Sequence, residues 1–438
     1  MLDRITGASV RLVDRYLPDP LILAILLTFV VFLGGMALGS GPVAMVEFWG
    51  NGFWGLLTFS MQMVLILVTG FVLATTPVFR RILAAIASLA RTPVQAILLV
   101  TLVALVASWI NWGFGLVIGA LFARQLAQRV PTVDYRLLIA SAYSGFVVWH
   151  AGLAGSVPLV IATEGHFTAH LIGVIPTDQT IFASFNLILV AALFVVIPLL
   201  NVLMVGKGGA PVHVDPAKLR ESEALPDAGS THRPADRLET SRALSLIVGF
   251  AGLAYLANYF LAQGGTLNLN IVNFLFLMLG ILLHGTPRRF LAAVTEAVKG
   301  AAGIIVQFPF YAGIMGMMTG SGMAEALSRA FVAISTPETL PLWTFLSAGL
   351  VNLFVPSGGG QWAVQAPIML PAALDLGADV ARVAMAVAWG DAWTNLIQPF
   401  WALPALAIAG LKARDIMGFC LIVLAVTGVV IGVGLVVL

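Results

Sequence analysis

In the stretch WGDAWTNLIQPFWALP, residues 389–404, one carboxylate and three neutral polar side chains sit among apolar and aromatic residues. They are Asp391, Thr394, Asn395 and Gln398, and Asp391 is the sole charged residue between Arg382 and Lys412. On a continuous helix Thr394 and Asn395 share a face with Asp391. Oxygen ligands of this kind suit a hard cation or a proton relay, so the cluster is a candidate for Na+ at Asp391 and Asn395, or for passing H+. The alternative is structural: a hydrogen bond from Asp391 to a neighbouring break in the backbone. A second stretch, AYSGFVVWHAGLAGSVP (142–158), carries His150 beside Trp149. Histidine changes charge near neutral pH, which suits a coupling proton. A neutral His that satisfies a carbonyl accounts for it equally well.

A third stretch, NLFVPSGGGQWAVQ (352–365), breaks its own regularity. Pro356 stops a helix, and Gly358, Gly359 and Gly360 weaken one. A helix that restarts after such a break aims free N–H groups at the space before it, which suits an anion. Glycines let backbone approach a ligand closely, and Ser357 and Gln361 add hydrogen-bonding side chains. A counterpart, SWINWGFG (108–115), contributes Asn111 and Gly113. The competing role of these glycines is tight helix packing. No Lys-Ser/Thr pair follows them, which excludes a phosphate-binding loop.

The elements that position these residues must sit in lipid. Of the 438 residues 60% are hydrophobic and 10% charged, against roughly 25% charged in soluble domains. The expected fold class is an all-α polytopic membrane protein; the strand alternation of an outer-membrane barrel is absent. A net charge of +2 gives no argument for nucleic acid, and the single Cys420 rules out an intrachain disulfide. Apolar segments cover 20–39, 55–76, 94–130 (broken), 137–162, 181–205, 243–262, 267–284, 300–318, 341–373 (broken), 383–409 and 416–438. Residues 1–19 suggest an amphipathic helix on the membrane surface rather than a cleavable signal. Residues 206–241, polar and rich in proline, read as a disordered cytoplasmic linker.

Arginine and lysine set the expected orientation. Arg4, Arg11 and Arg15 place the N-terminus inside, as Arg80, Arg81, Arg91, Arg288, Arg289, Lys299, Lys412 and Arg414 place their loops. The 163–180 loop has Glu164 and Asp178 but no Lys or Arg, and lies outside. This requires 94–130 to enter and leave from inside and 341–373 from outside. The scheme is about nine transmembrane helices plus two re-entrant hairpins; two short full spans at each place are the alternative. Arg329 and Arg382 fall outside, against the rule. Sliding the chain by about 245 residues sets Gly35 on Gly280, Pro42 on Pro287, Gly55 on Gly300 and Gln62 on Gln307. Ordered matches of this kind indicate inverted structural repeats, the first over 20–205 and the second over 264–438, with 242–263 as a connecting transmembrane helix.

No Arg or Lys stands near the two tips, which favours a substrate with one carboxylate and a short apolar tail. RYLPDPLILAILLT, VPSGGGQWAVQAPIMLPAA and WGDAWTNLIQPFWALPALAIAG resemble the bacterial short-chain fatty acid transporters associated with acetoacetate and butyrate use. The resemblance runs from about residue 10 to the C-terminus, the linker excepted. It implies a secondary transporter of the inner membrane, with paired hairpin tips and broken helices forming the site. By resemblance, 357–361 and 391–398 fall on that site. No cofactor is implied beyond a coupling ion, H+ or Na+; the partners are a small monocarboxylate and membrane lipid, and relatives in the wider superfamily are often homodimers. The competing functions are an intramembrane serine hydrolase with Ser357 as nucleophile and His150 as base, a carrier of other small carboxylates, and a passive channel. Against the hydrolase, no third group in the sequence orients His150, and the counterpart region near Gly113 has no nucleophile.

Overall fold

The computed structural model describes residues 20–207, 211–214, 233–353, 355–398, 401–402, 406 and 409–438. The expected amphipathic helix over 1–19 lies outside them, as do Pro399 and Phe400. Among the described residues every regular element is helical. The first half runs α1 (Pro20–Ala37), α2 (Pro42–Gly52), α3 (Leu57–Ala74), α4 (Pro77–Ala87), α5 (Pro93–Ile110), α6 (Trp112–Arg129) and α7 (Tyr135–Ser144). A tighter turn over Gly145–Ala151 follows, then α8 (Ser156–Ile161), α9 (Ala169–Ile172) and α10 (Ser184–Leu203). The second half runs α11 (Pro234–Glu239), α12 (Arg242–Leu261), α13 (Leu269–His284), α14 (Pro287–Val298), α15 (Ala302–Gly320), α16 (Met323–Ile334), α17 (Leu340–Val351), α18 (Gly358–Leu376), α19 (Val380–Asn395) and α20 (Ala413–Val437).

Several starts are written locally. Thr76, Thr92 and Thr286 each precede a proline and each accept a backbone N–H three residues on, from Phe79, Gln95 and Arg289. Threonine caps the open amides while proline fixes φ at a position that needs no donor. The starts of α2, α3, α4, α6 and α7 recur 245 or 246 residues later as those of α14, α15, α16, α18 and α19.

Among the described residues seven helical stretches are long and apolar enough to cross a bilayer, and three shorter apolar helices accompany them. Phe29, Leu33, Ile247, Phe250, Val429 and Val433 expose large apolar side chains on α1, α12 and α20, a perimeter suited to lipid. Inside it, Tyr143, Trp149, Trp362 and Trp389 are fully buried. The short amphipathic helices α4, α14 and α16 stand between the apolar segments expected from the sequence, where it suggests loops.

The two broken segments differ. The first turns at one residue, Asn111, in extended backbone (φ −160°, ψ 129°), and α5 and α6 pack closely side by side. Gly115 permits this, because a Cβ there would lie 2.4 Å from Ser108 Oγ. In the second, α17 packs chiefly along α19 and touches α18 little. The linker is not wholly irregular. Residues 234–239 form α11, whose Asp236 accepts from the Arg233 N–H at 3.0 Å while its side chain and that of Glu239 grip Arg288. Tyr135 donates its backbone N–H to Val212 at 2.9 Å, so 211–214 is docked as well.

Candidate functional site

The two breaks restart helices in the same way. Asn111 caps α6, its Oδ1 accepting from the Phe114 N–H at 2.9 Å, and Ser357 caps α18, its Oγ accepting from the Gly360 N–H at 3.3 Å. Neither Gly358 nor Gly359 donates its backbone N–H to a described acceptor. The nineteen-residue α18 therefore directs its positive end at the space before Gly358, with the Gly359 N–H unbonded among the described residues, whereas the Ser357 N–H is taken by the Val355 carbonyl at 2.7 Å.

The glycines are needed for what lies against them. A Cβ on Gly358 would be 2.5 Å from His150 Cε1 and 2.7 Å from Trp149 Cη2. One on Gly359 would be 2.6 Å from Phe59 Cε1, and one on Gly360 would be 2.4 Å from Tyr311 Cδ2. The first tip sits elsewhere. Asn111 Nδ2 donates to the Ile66 carbonyl at 3.4 Å, and Gly113 faces the Leu67 carbonyl on α3. Among the described residues no hydrogen bond joins Asn111 to the 357–361 tip.

His150 and Asp391 meet. His150 Nδ1 lies 2.8 Å from Asp391 Oδ2, with both side chains fully buried. The Val157 N–H donates to His150 Nε2 at 3.0 Å. That bond makes Nε2 an acceptor, so a neutral ring carries its proton on Nδ1 and donates it to Asp391. The Trp149 indole stacks on the imidazole with centroids 4.1 Å apart and 12° between planes. Gly152 and Gly155 make the chain's sharp path possible here, since a Cβ on Gly152 would lie 2.0 Å from the Trp109 carbonyl.

The rest of the polar cluster is largely occupied with its own bonds. Asn395 Oδ1 accepts from Trp149 Nε1 at 2.9 Å, and its backbone carbonyl accepts from the Tyr143 hydroxyl at 2.5 Å. Thr394 Oγ1 donates to the Gly349 carbonyl at 3.0 Å and accepts from Asn352 Nδ2 at 2.9 Å. Gln398 Nε2 donates to the Asn352 carbonyl. Gln361 Nε2 donates to the Ala348 carbonyl at 2.8 Å and to Gln365 Oε1 at 2.9 Å. Three buried oxygens are left with no protein donor: Asp391 Oδ1, Asn352 Oδ1 and Gln361 Oε1. The amide orientations of Asn352 and Gln361 are set by their donor bonds, so all three orphan atoms are acceptors.

A coupling Na+ at Asp391 and Asn395 thus fits the first residue better than the second. Asp391 has a free oxygen, whereas the Asn395 oxygen is held by Trp149. Asn352, in the quoted glycine stretch, was the polar residue sequence reasoning passed over; its place between Asp391 and Thr394 is a tertiary fact. Both ring nitrogens of His150 are engaged, and Ser357 Oγ is used as a cap, so the base–nucleophile contact of a serine hydrolase is not formed.

The whole chain, residues 1–438, matches the family model described as "Short chain fatty acid transporter". An Escherichia coli K12 protein provisionally named a short-chain fatty acid transporter is 48% identical over 437 residues, covering 99% of each chain. A Haemophilus influenzae protein of the same name is 45% identical over 446 residues, again covering 99% of each. Among solved structures, the YdaH transporter of Alcanivorax borkumensis superposes with a TM-score of 0.57 at 18% identity, covering 95% of this chain and 98% of that one. MtrF of Neisseria gonorrhoeae, titled an antimetabolite efflux pump, superposes with a TM-score of 0.63 at 15% identity, covering 99% and 97%. At such identities the two structures establish a shared fold, that of a helical membrane transporter. With the family come a multi-pass membrane location and a transport role in place of an enzymatic one. The chain belongs to the short-chain fatty acid transporter family.

Proposed function

We propose that this protein is a secondary active carrier of the inner membrane that moves small monocarboxylates, such as butyrate or acetoacetate, coupled to H+ or Na+. The observation that carries the reading is the packing of Gly358, at the start of α18, directly on the His150–Asp391 pair. Free amides and a helix N-terminus favour a carboxylate. A buried carboxylate a few ångströms away supplies the place for a cation. The side chains against the tip glycines are His150, Trp149, Phe59, Phe308 and Tyr311. None offers a fixed positive charge for a second carboxylate, and their rings accept a short apolar tail.

The coupling ion belongs at Asp391. Val157 holds Nε2 of His150 as an acceptor, so the proton that neutralises the pair goes to Asp391 Oδ1. A Na+ would draw on the same oxygen with Asn352 Oδ1 and Gln361 Oε1. Inverted repeats underlie the cycle in this reading. Trp149 and Asn395, 246 positions apart, bond to each other, and the two helix caps Asn111 and Ser357 have the same separation. Equivalent positions meet where a pseudo-two-fold axis passes. Alternating access then moves the tip-bearing helices against the remaining ones, with the N-terminus cytoplasmic as the charge pattern indicates.

The test is uptake of labelled butyrate and acetoacetate into proteoliposomes under separately imposed Na+ and H+ gradients. Saturable accumulation driven by one gradient is expected. No gradient-dependent uptake of any short monocarboxylate overturns the reading, and non-saturable flux would make the protein a channel.

A further inference from the structure

We propose that the groove between α10 and α20, with the polar cavity adjoining it, holds a zwitterionic phospholipid. The phosphate sits on Arg382, the headgroup ammonium on Asp178 and Asp379, and an acyl chain along the two helices. The proposal needs only the membrane location that the family brings, and it stands apart from the carrier reading.

The polar cavity has a volume of about 470 Å³ and is lined by the start of α10 and the start of α19. Its charged side chains are Arg382, Asp178 and Asp379. Arg382 lies at the end of the molecule that the charge pattern puts outside, where arginine is disfavoured. It is partly buried, and its guanidinium stands over the Phe185 ring with Cζ 5.1 Å from the centroid. Among the described residues this guanidinium forms no hydrogen bond or ion pair, and its buried Nε has no partner. Only the backbone N–H of Arg382 reaches a carboxylate, Asp379 Oδ1, at 3.1 Å. A cation held in place by a ring with no anion on it is a place for an anion. Beside it, Ala183 gives α10 no side-chain cap, and neither Ser184 nor Phe185 donates its N–H to a described acceptor.

The two carboxylates decide which anion. Asp178 and Asp379 are exposed on the same cavity and repel a simple anion. A headgroup that carries both signs removes the conflict, its phosphate facing the guanidinium and its ammonium facing the carboxylates. The tail has its own place. A second cavity of about 390 Å³ lies between α10 and α20 and is lined by apolar residues alone, among them Leu189, Val430 and Val433. Ile188 and Leu438 line both cavities, so the two adjoin. Ile188 is 51% exposed, Val429 66% and Val433 56%, which leaves the groove open towards lipid. From Val429 to Val437 it follows about 12 Å of helix. A mixed-charge pocket that adjoins an apolar groove matches a phospholipid, whereas a small free ion leaves the groove empty.

The site joins α10 of the first half to α19 and α20 of the second. Next to Phe185, Asn186 Oδ1 accepts from Trp389 Nε1 at 3.1 Å, two positions before Asp391. The lipid therefore braces the contact between α10 and the helix that bears Asp391.

The experiment uses the full chain, stripped of lipid in detergent and offered phosphatidylethanolamine or phosphatidylglycerol. Bound lipid is read by native mass spectrometry. Phosphatidylethanolamine is expected to be retained about tenfold better, and Arg382→Gln to lower its retention about tenfold, the loss of one charge-assisted contact. The double variant Asp178→Asn, Asp379→Asn, in which asparagine still serves as the cap of α19, is expected to erase the preference between the two lipids. Val433→Trp fills the groove without touching the polar cavity, and lowers retention of both lipids; it keeps the test open should Arg382→Gln not fold. Equal retention of the two lipids by the unmodified protein overturns the proposal, as does unchanged retention of phosphatidylethanolamine by a folded Arg382→Gln or Val433→Trp variant.

Discussion

His150 and Asp391, 241 residues apart in the chain, share a 2.8 Å hydrogen bond with neither side chain exposed. The bond joins the two halves of the molecule at the foot of α18. A third participant, the Val157 N–H, sets the imidazole's tautomer by occupying Nε2. The pair therefore has one open valence, at Asp391 Oδ1. A buried carboxylate that keeps one oxygen free of donors is costly in a membrane and is functional by default.

Replacing Asp391 by Asn keeps the size of the side chain and removes the charge. Gradient-driven accumulation of butyrate is expected to fall by at least about tenfold, because the amide takes no proton and lacks the negative charge that offsets a buried cation. Uptake by Asp391→Asn that remains fully coupled would remove this residue from the mechanism. Assays at several pH values under Na+ and H+ gradients separate loss of coupling from loss of binding.

The pair also has a stability signature. His150→Phe leaves Asp391 and the Val157 N–H buried without their partner, a loss on the order of 3–5 kcal/mol for a broken buried pair. Asp391→Leu in the same background removes the uncompensated carboxylate, so part of that loss should return in the double variant. Thermal unfolding of the two singles and the double in detergent measures the coupling; simple additivity of the singles would show that the two groups do not act as a pair.

Much of this arrangement was legible in the sequence, for reasons that differ by element. The Thr-Pro helix starts, the break at Pro356–Gly360 and the buried Asp391 are local signals, written within a few residues. Pro42 and Pro287, which a shift of about 245 residues superposes, both open helices. What the sequence could not give is the pairing across the halves. Nothing near His150 announces that Asp391 will orient it, because the partner lies 241 residues away in the chain. Asn395 reads as a cation ligand, and nothing in its own neighbourhood of the sequence shows that its oxygen accepts from the Trp149 indole. The two breaks read as counterparts in the sequence, yet Asn111 docks on α3 whereas Gly358 docks on His150, a difference made by tertiary packing. The linker looked featureless because the two carboxylates of α11 find their cation, Arg288, some fifty residues downstream.

Two glycines should respond oppositely to alanine. At Gly152 the new Cβ would sit 2.0 Å from the Trp109 carbonyl, which also accepts the Leu153 N–H at 2.7 Å and cannot move away freely. Gly152→Ala is expected to cost about 3 kcal/mol or more, or to prevent folding. At Gly119, inside α6, the nearest atoms would be 3.5 Å away, ordinary contact. Gly119→Ala should be neutral or stabilise by up to about 1 kcal/mol through helix propensity. Yield and melting temperature in detergent distinguish the two.

Arg288 holds α11 through Glu239 at 2.8 Å and through Asp236. The cluster lies away from the His150–Asp391 pair. Arg288→Ala is expected to leave butyrate uptake within about twofold of the unmodified rate, an interaction remote from the reacting groups. Cleavage by protease between 234 and 241 should accelerate as the helix detaches. A loss of uptake comparable to that of Asp391→Asn would show that this end of the linker takes part in the cycle.

His166, in the loop after α8, gives the stability of the fold a pH dependence of defined sign. It lies beyond the end of α8, and burial pushes its pKa below the ordinary value of 6.5. The Gly173 carbonyl opposes the shift and His170 adds to it. The neutral ring donates from Nε2 to Gly173 and accepts at Nδ1 from Thr168; protonation at Nδ1 reverses the second bond, and the half-buried ring then carries a charge that burial opposes. In the unfolded chain the same ring binds a proton more readily. The stability it contributes is therefore complete above 6.5 and is lost as pH falls from there toward the lower folded value. Melting temperature should drop between pH 7 and pH 5 more steeply in the unmodified protein than in His166→Gln, whose amide keeps a donor for Gly173 but does not titrate. Equal slopes would remove His166 as the cause.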